Sequence, residues 1–276
     1  MKKAEIYKAY GIEYKSGKIK TPYGEFIPEL IPVGTNTKVG NAGTWSIYHG
    51  NEIINSEAAH NKVKAVMEKT GIESVKGPCP CHCKNCYCDF GFYNFPANKA
   101  IAVRKLILAK YFTEWMTNAI IAQIKADNIK QLRIHAQGDF FSREYCKAWE
   151  KIANETKDIC VFWTYTKNPD ALEILSGISN LSIVPSITPF GFNFGTCSEL
   201  LDMHDKLTKA GYRTHICACG TEHEKHCSDC KTGCKAIGKK CDFVLFIKHS
   251  CNTYEAGKDD PEEYKAVCNI IANQEN

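Results

Sequence analysis

The sequence predicts an α/β fold, a partial (β/α)6 barrel with a small cysteine-rich insertion near its carboxyl terminus. Three observations carry that prediction. From Thr44 onward, β-rich runs alternate with helix-length amphipathic stretches, the pattern of right-handed βαβ crossovers on a parallel sheet. Hydrophobic residues make up 44% of the 276, enough to fill one large core. Eleven of the sixteen cysteines are bunched at short intervals in two places, which in a chain with no apolar amino-terminal run favours metal sites over a disulfide framework. About six core strands are too few for a closed eight-stranded barrel, so an open or partial barrel fits, with a doubly wound open sheet as the second architecture.

Residues 1–43 read as an extension of hairpin and loop, because short alternating pieces are broken by Gly17, Pro22, Gly24, Pro28, Pro32 and Gly34. The main domain covers 44–276. Thr44 to Tyr48 is its first strand, and Ser56 offers an N-cap for a helix through Lys69 that stops at Gly71. After Pro96, apolar positions from Ala100 to Ile124 recur at three- and four-residue steps, which predicts one long amphipathic helix ending near Asn128. Gln131 to Ala136 is a buried strand, Gln137-Gly138-Asp139 a turn, and Ser142 the cap of a helix through about Asn154. The unit then repeats, with strands at Ile159 to Tyr165, Leu181 to Ile187, Arg213 to Ala218 and Asp242 to Ile247. Helices begin at Pro169, Ser198 and near Pro261. Trp45, Trp115, Trp163 and His135 read as core.

The first cysteine group runs Cys-Pro-Cys-His-Cys-Lys-Asn-Cys-Tyr-Cys from Cys79 to Cys88. Within it Cys79, Cys83 and Cys86 have the spacing C-x3-C-x2-C, which lets one loop place three thiolates around a single centre and leaves a fourth position open. A [4Fe–4S] cubane held by three cysteines has such an open iron, whereas a structural zinc closes its tetrahedron, here with Cys81, Cys88 or His82. The second group, Cys217, Cys219, Cys227, Cys230, Cys234 and Cys241, forms the hydrophilic insertion 217–241. Cys227, Cys230 and Cys234 with Cys217 or Cys219 make a closed four-thiolate site, for zinc or a second [4Fe–4S] cluster. Gly138 and Asp139 sit where a strand hands over to a helix, either as an ordinary capped turn or as a place where backbone and carboxylate meet a cation. Lys167, Ser186, Thr188, Lys248 and His249 also follow strands, so they share the carboxyl edge on which α/β folds gather their chemistry.

The C-x3-C-x2-C loop followed by Tyr87 resembles the cluster loop of the radical S-adenosylmethionine (SAM) superfamily. The wider pattern is similar to a bacteriophage-encoded family of that group. It is carried by Lys38-Val39-Gly40 before Thr44-Trp45-Ser46, Arg133-Ile134-His135 before Gly138-Asp139-Phe140, Trp163-Thr164-Tyr165-Thr166-Lys167, and Cys227-x2-Cys230 before Phe246-Ile247-Lys248-His249. The resemblance implies that Cys79, Cys83 and Cys86 ligate the catalytic cluster. It implies that Tyr87 stacks on SAM and that Gly138 and Asp139 hold its amino group; of the strand-end residues, Ser186 and His249 are the ones expected to meet the SAM carboxylate, its ribose or a substrate. It further implies reductive cleavage of SAM to a 5′-deoxyadenosyl radical and a reductant protein of flavodoxin or ferredoxin type. The stretch between Gly50 and the cysteine loop looks like an insertion, since in that superfamily the first strand leads straight into the cluster.

The expected protein is therefore a cytoplasmic radical SAM-like iron–sulfur enzyme, its second site an auxiliary cluster or zinc. The rival readings are a non-catalytic zinc module that binds nucleic acid or protein, and a cluster protein that does not use SAM. A net charge of +4 without a run of like charges leaves nucleic acid undetermined, and no eighteen-residue apolar run points to a membrane. No motif names a substrate.

Overall fold

The computed structural model describes residues 2–34, 40–50, 57–73, 75, 77, 88, 93, 95–185, 193–194, 197–217, 243–247 and 261–274. Its first element is a helix, α1 (Lys3–Ala9), where the sequence reading has only hairpin and loop. Lys2 N donates to Glu5 Oε2 at 2.9 Å to cap it, and Gly11, at φ +70°, ends it. The expected hairpin follows as β1 (Tyr14–Lys15), β2 (Lys18–Lys20) and β3 (Phe26–Ile27), an antiparallel sheet. This extension is packed into the main core through Tyr7, Ile12, Ile19, Tyr23, Leu30 and Ile31.

The central sheet has the parallel order β4 (Gly43–Trp45), β5 (Gln131–Ile134), β6 (Val161–Thr166), β7 (Leu181–Pro185). Its crossovers carry α2 (Glu57–Thr70), α3 (Pro96–Tyr111), α4 (Thr113–Asp127), α5 (Arg143–Glu155) and α6 (Pro169–Leu175). Side chains of in-register residues on parallel strands share a face. Trp45, Ile134 and Ile183 in one row, and Leu132, Phe162 and Leu181 in the next, join the same core as residues of all these helices. The crossovers thus lie on one face, as right-handed connections to neighbouring strands require. The single long helix expected from Pro96 is instead two, because Phe112 leaves the helical region (φ −137°, ψ 43°) and packs edge-on against Tyr23 with ring centroids 6.5 Å apart. Nothing in the local spacing marks that break. It is imposed by the extension, which α4 also grips through Gln123, whose side chain bonds the backbone of Leu30 and Ile31.

A second parallel sheet has the order β8 (Asn193–Phe194), β10 (Phe243–Ile247), β9 (Thr214–Ile216), with α7 (Cys197–Lys209) and α8 (Pro261–Gln274) packed on it around Leu200, Ile216, Leu245, Val267 and Ile271. Here the last strand lies between the two before it, unlike the sequential run of the first sheet. The α/β class with a parallel sheet is as the sequence predicts. Among the described residues the two sheets share no strand pairing, and residues 186–192 between them lie outside the described set. Among the described residues, no helix is long and apolar enough to cross a membrane.

Candidate functional site

The carboxyl ends of β4, β5 and β6 form one continuous edge. The β4–β5 ladder runs on past the strands, with His135 N donating to Trp45 O at 2.8 Å and Ile47 N to Gln137 O at 3.1 Å. Between these bonds His135 adopts φ +57°, a conformation that costs a residue with a Cβ of order 1–2 kcal/mol. The turn swings its ring into the helix layer, edge-on to Phe140 with centroids 4.6 Å apart, instead of onto the opposite face as strand alternation demands. There Nε2 bonds Tyr145 Oη at 2.9 Å, and the same hydroxyl accepts Trp45 Nε1–H at 2.9 Å. His135 Nδ1 is buried with no hydrogen-bond partner among the described residues, and burial pulls the imidazole pKa down to about 3. His135 is a neutral core histidine, as expected, but only half satisfied.

Three residues on, Gly138 sits at φ +87°, and a Cβ there would lie 2.5 Å from Ile47 Cγ1 and 2.7 Å from Ile47 O. The glycine is needed twice, for the turn and for the close approach to the chain leaving β4. Next to it Gln137 Nε2 lies 2.7 Å from His49 Nδ1, both side chains buried. An amide nitrogen only donates, so in this bond Nδ1 is the acceptor. The adjoining Gly77 N donates to Gly50 O at 2.7 Å, and a Cβ on Gly77 would come within 2.3 Å of that oxygen and 2.4 Å of the His49 carbonyl carbon. The chain therefore leaves the end of β4 at Gly50, makes an excursion that includes α2, and returns to the same point two residues before Cys79.

Asp139 is buried, and its carboxylate is taken up by the protein itself. Oδ1 accepts Thr166 Oγ1–H at 2.6 Å and Phe140 N–H at 2.7 Å, and Oδ2 accepts Lys167 N–H at 2.9 Å. Desolvation raises its pKa, against the pull of those bonds and of the Lys167 charge. The three bonds tie the end of β5 to the end of β6, while Ser142 Oγ caps α5 by accepting Tyr145 N–H at 3.1 Å. They leave one Oδ2 lone pair for any cation. Replacing Asp139 by asparagine would set an amide N–H₂ against Lys167 N–H or the other two donors, and D139N is expected to lose about 1–3 kcal/mol in urea unfolding.

Of the predicted site residues, Gly138 and Asp139 are together at this edge. Cys217 follows β9, half-exposed, with its N–H donating to Leu245 O at 2.8 Å. Cys79, Cys83, Cys86, Tyr87, Ser186, Cys227, Cys230 and Cys234 lie outside the described residues, as do Thr188, Lys248 and His249. Among the described residues no group of three or more His, Cys, Asp or Glu side chains is placed to hold a metal. Sequence reasoning missed the His49–Gln137 pair, Thr166 and the contact glycine Gly77, because each is defined by a partner far along the chain.

A sequence model described as gene product 88 matches residues 56–242. The chain belongs to the gene product 88 family. One relative is the Gene 88 protein of Mycobacterium phage D29, 30% identical over 113 residues, which cover 34% of this chain and 47% of the relative. The chain thus spans about half the length of that curated relative. No solved structure matches the chain. The expected kinship with a bacteriophage-encoded family is met at this level, and the family match takes in the C-x3-C-x2-C loop, the Gly138 turn and the whole second cysteine group.

Proposed function

We propose that this member of the gene product 88 family is an iron–sulfur protein whose Cys79, Cys83 and Cys86 hold a [4Fe–4S] cluster at the carboxyl edge of the central sheet, and that it cleaves SAM reductively. The observation that supports the reading is the Gly50–Gly77 contact, which brings Gly77, two residues ahead of Cys79 in the sequence, beside the chain leaving β4, near Gln137 and His49. Three thiolates from one loop suit a cubane with an open iron better than a closed zinc tetrahedron. Such a cluster would supply the electron, received from a flavodoxin- or ferredoxin-type donor, that breaks the carbon–sulfur bond of SAM. The chain's own part is to bind and orient. Tyr87 would stack on the adenine and Ser186 would meet the carboxylate or ribose. Asp139 would accept the SAM ammonium through its one remaining lone pair, at the end of a sequential parallel run that fits part of a (β/α)6 barrel. Cys217, Cys227, Cys230 and Cys234 would hold an auxiliary cluster or zinc.

The engagement of Asp139 by Phe140, Thr166 and Lys167 favours a second reading, a cluster protein that does not use SAM. Anaerobic purification with iron, sulfide and zinc counts tests the first part. About eight iron atoms per chain are expected for two cubanes, or about four for one cubane beside a zinc, and the triple variant C79S/C83S/C86S should lose about four. A colourless protein with two zinc ions and no iron refutes the cluster. 5′-Deoxyadenosine released from SAM under dithionite supports the enzyme reading, and a reconstituted cluster that never releases it decides for the second.

A further inference from the structure

At the amino end of β9, in the second sheet, lies a cavity of about 460 Å³, within the range of roughly 300–1,000 Å³ usual for small-molecule sites. Its walls are the later turns of α7, through His204 and Thr208, the end of α8, through Ile270, Asn273 and Gln274, and Thr214, the first residue of β9. Backbone bonds hold this frame together. Tyr212 N–H donates to Leu207 O at 3.0 Å, which folds the turn between α7 and β9 back on the helix, and Gln274 Oε1 accepts Ile216 N–H at 3.0 Å, which ties the end of α8 to β9. The polar side chains of the wall are sparsely engaged by contrast. Thr208 and Thr214 share one long contact between their hydroxyls, 3.4 Å. The Asn273 amide and the Gln274 amide nitrogen make no hydrogen bond among the described residues. His204 Nδ1 is buried with no hydrogen bond among the described residues, 3.6 Å from Asp205 Oδ1, so Nε2 is the atom that the imidazole offers to the cavity.

This lining selects a neutral ligand. The closing turns of α7 and α8 bring the negative ends of two helix dipoles to the cavity, which disfavours an oxyanion, and Arg213 at the rim offsets part of that field. No carboxylate lines the cavity to hold a cation. Hydroxyls and carboxamides both donate and accept, as the hydroxyls of a sugar do, and Ile270 supplies an apolar patch for the C–H face of a ring. We infer that the cavity is a carbohydrate site, which takes a mono- or disaccharide between Asn273 and the Thr208–Thr214 pair with the sugar ring against Ile270. It lies at the opposite end of β9 from Cys217 and rests on none of the cysteines, so it stands whether or not they bind metal.

The full-length protein is titrated with glucose, N-acetylglucosamine and maltose, and with phosphate as the charged control, at constant ionic strength. Binding is read by saturation-transfer NMR on the sugar protons and by calorimetry. Saturable binding of at least one sugar is expected, with phosphate unable to displace it. Asn273 and Thr208 are exposed helix positions, so Asn273→Ala and Thr208→Val can remove wall groups while the fold is kept. Each should weaken binding about five- to tenfold, the loss of one hydrogen bond, and a loss of that size in either variant places the sugar here. No saturable binding of any of the three sugars overturns the site, as does unchanged affinity in both variants. Phosphate that displaces the sugar, or binds more tightly than it, overturns the neutral-ligand reading. Should T208V lose helix by circular dichroism, N273A decides alone, since alanine favours the helix in which it sits.

Discussion

Gly138→Ala is expected to destabilise the protein by about 2–5 kcal/mol, the sum of a left-handed backbone penalty of about 1–2 and an overpacking penalty of about 1–3. The contacts make the second part unavoidable, since the new methyl group would meet the backbone oxygen of Ile47 at 2.7 Å as well as its side chain. Two other glycines separate the terms. Gly177 has φ +89° with nothing within 4 Å of a Cβ, so G177A should show the backbone penalty alone. Gly77 has a Cβ position crowded by Gly50 O and His49 without a left-handed backbone, so G77A should show the contact alone. Urea unfolding of the three variants checks the ordering. If G138A costs no more than G177A, then the approach of the turn to the chain leaving β4 is not rigid. The edge it builds would lose its definition.

Acidification should destabilise the native state steeply through His135. Its imidazole titrates near 6.5 when unfolded and is pulled down to about 3 by burial in the fold. Between those values the unfolded chain binds a proton that the native one refuses. The histidine's contribution is therefore fully present above pH 6.5 and drains away by about 1.4 kcal/mol per pH unit as pH falls toward 3. From pH 6.5 to 4.5 the loss is about 2–3 kcal/mol. Asp139 works in the opposite sense, because its native pKa is raised above the ordinary 3.8 and the fold takes up that proton first, which offsets part of the loss at the acid end. H135N isolates the effect, asparagine being the side chain that best tolerates the left-handed backbone at this position. Its stability at pH 7 will be lower, but its slope between pH 6.5 and 4.5 should be flatter by nearly one proton. An unchanged slope would assign the acid sensitivity elsewhere.

Much of the architecture was legible because it rests on local periodicity. Strand and helix positions from Gln131 to Leu175 fall within a few residues of those expected, and the Ser142 cap and the Gly177 stop act as their residue types demand. What escaped depends on distant partners. The break at Phe112 needs Tyr23, and α1 closes on residues that read as a hairpin approach. At the edge, Gln137-Gly138-Asp139 reads from the sequence as a turn, either an ordinary capped one or one where backbone and carboxylate meet a cation. Yet the sequence could not tell that Asp139 is spent on Thr166 and Lys167, twenty-seven and twenty-eight residues away.

The meeting of Gly50 with Gly77 closes the excursion after β4 into a ring, and α2 ties that ring to the core a second time through Val63, Val66 and Met67. Lengthening a flexible connection even twofold adds only about 0.6 kcal/mol of closure entropy, so residues added on either side of α2 would leave both attachments in place. Such a ring is adjustable in its connections and fixed where it touches the sheet and the core.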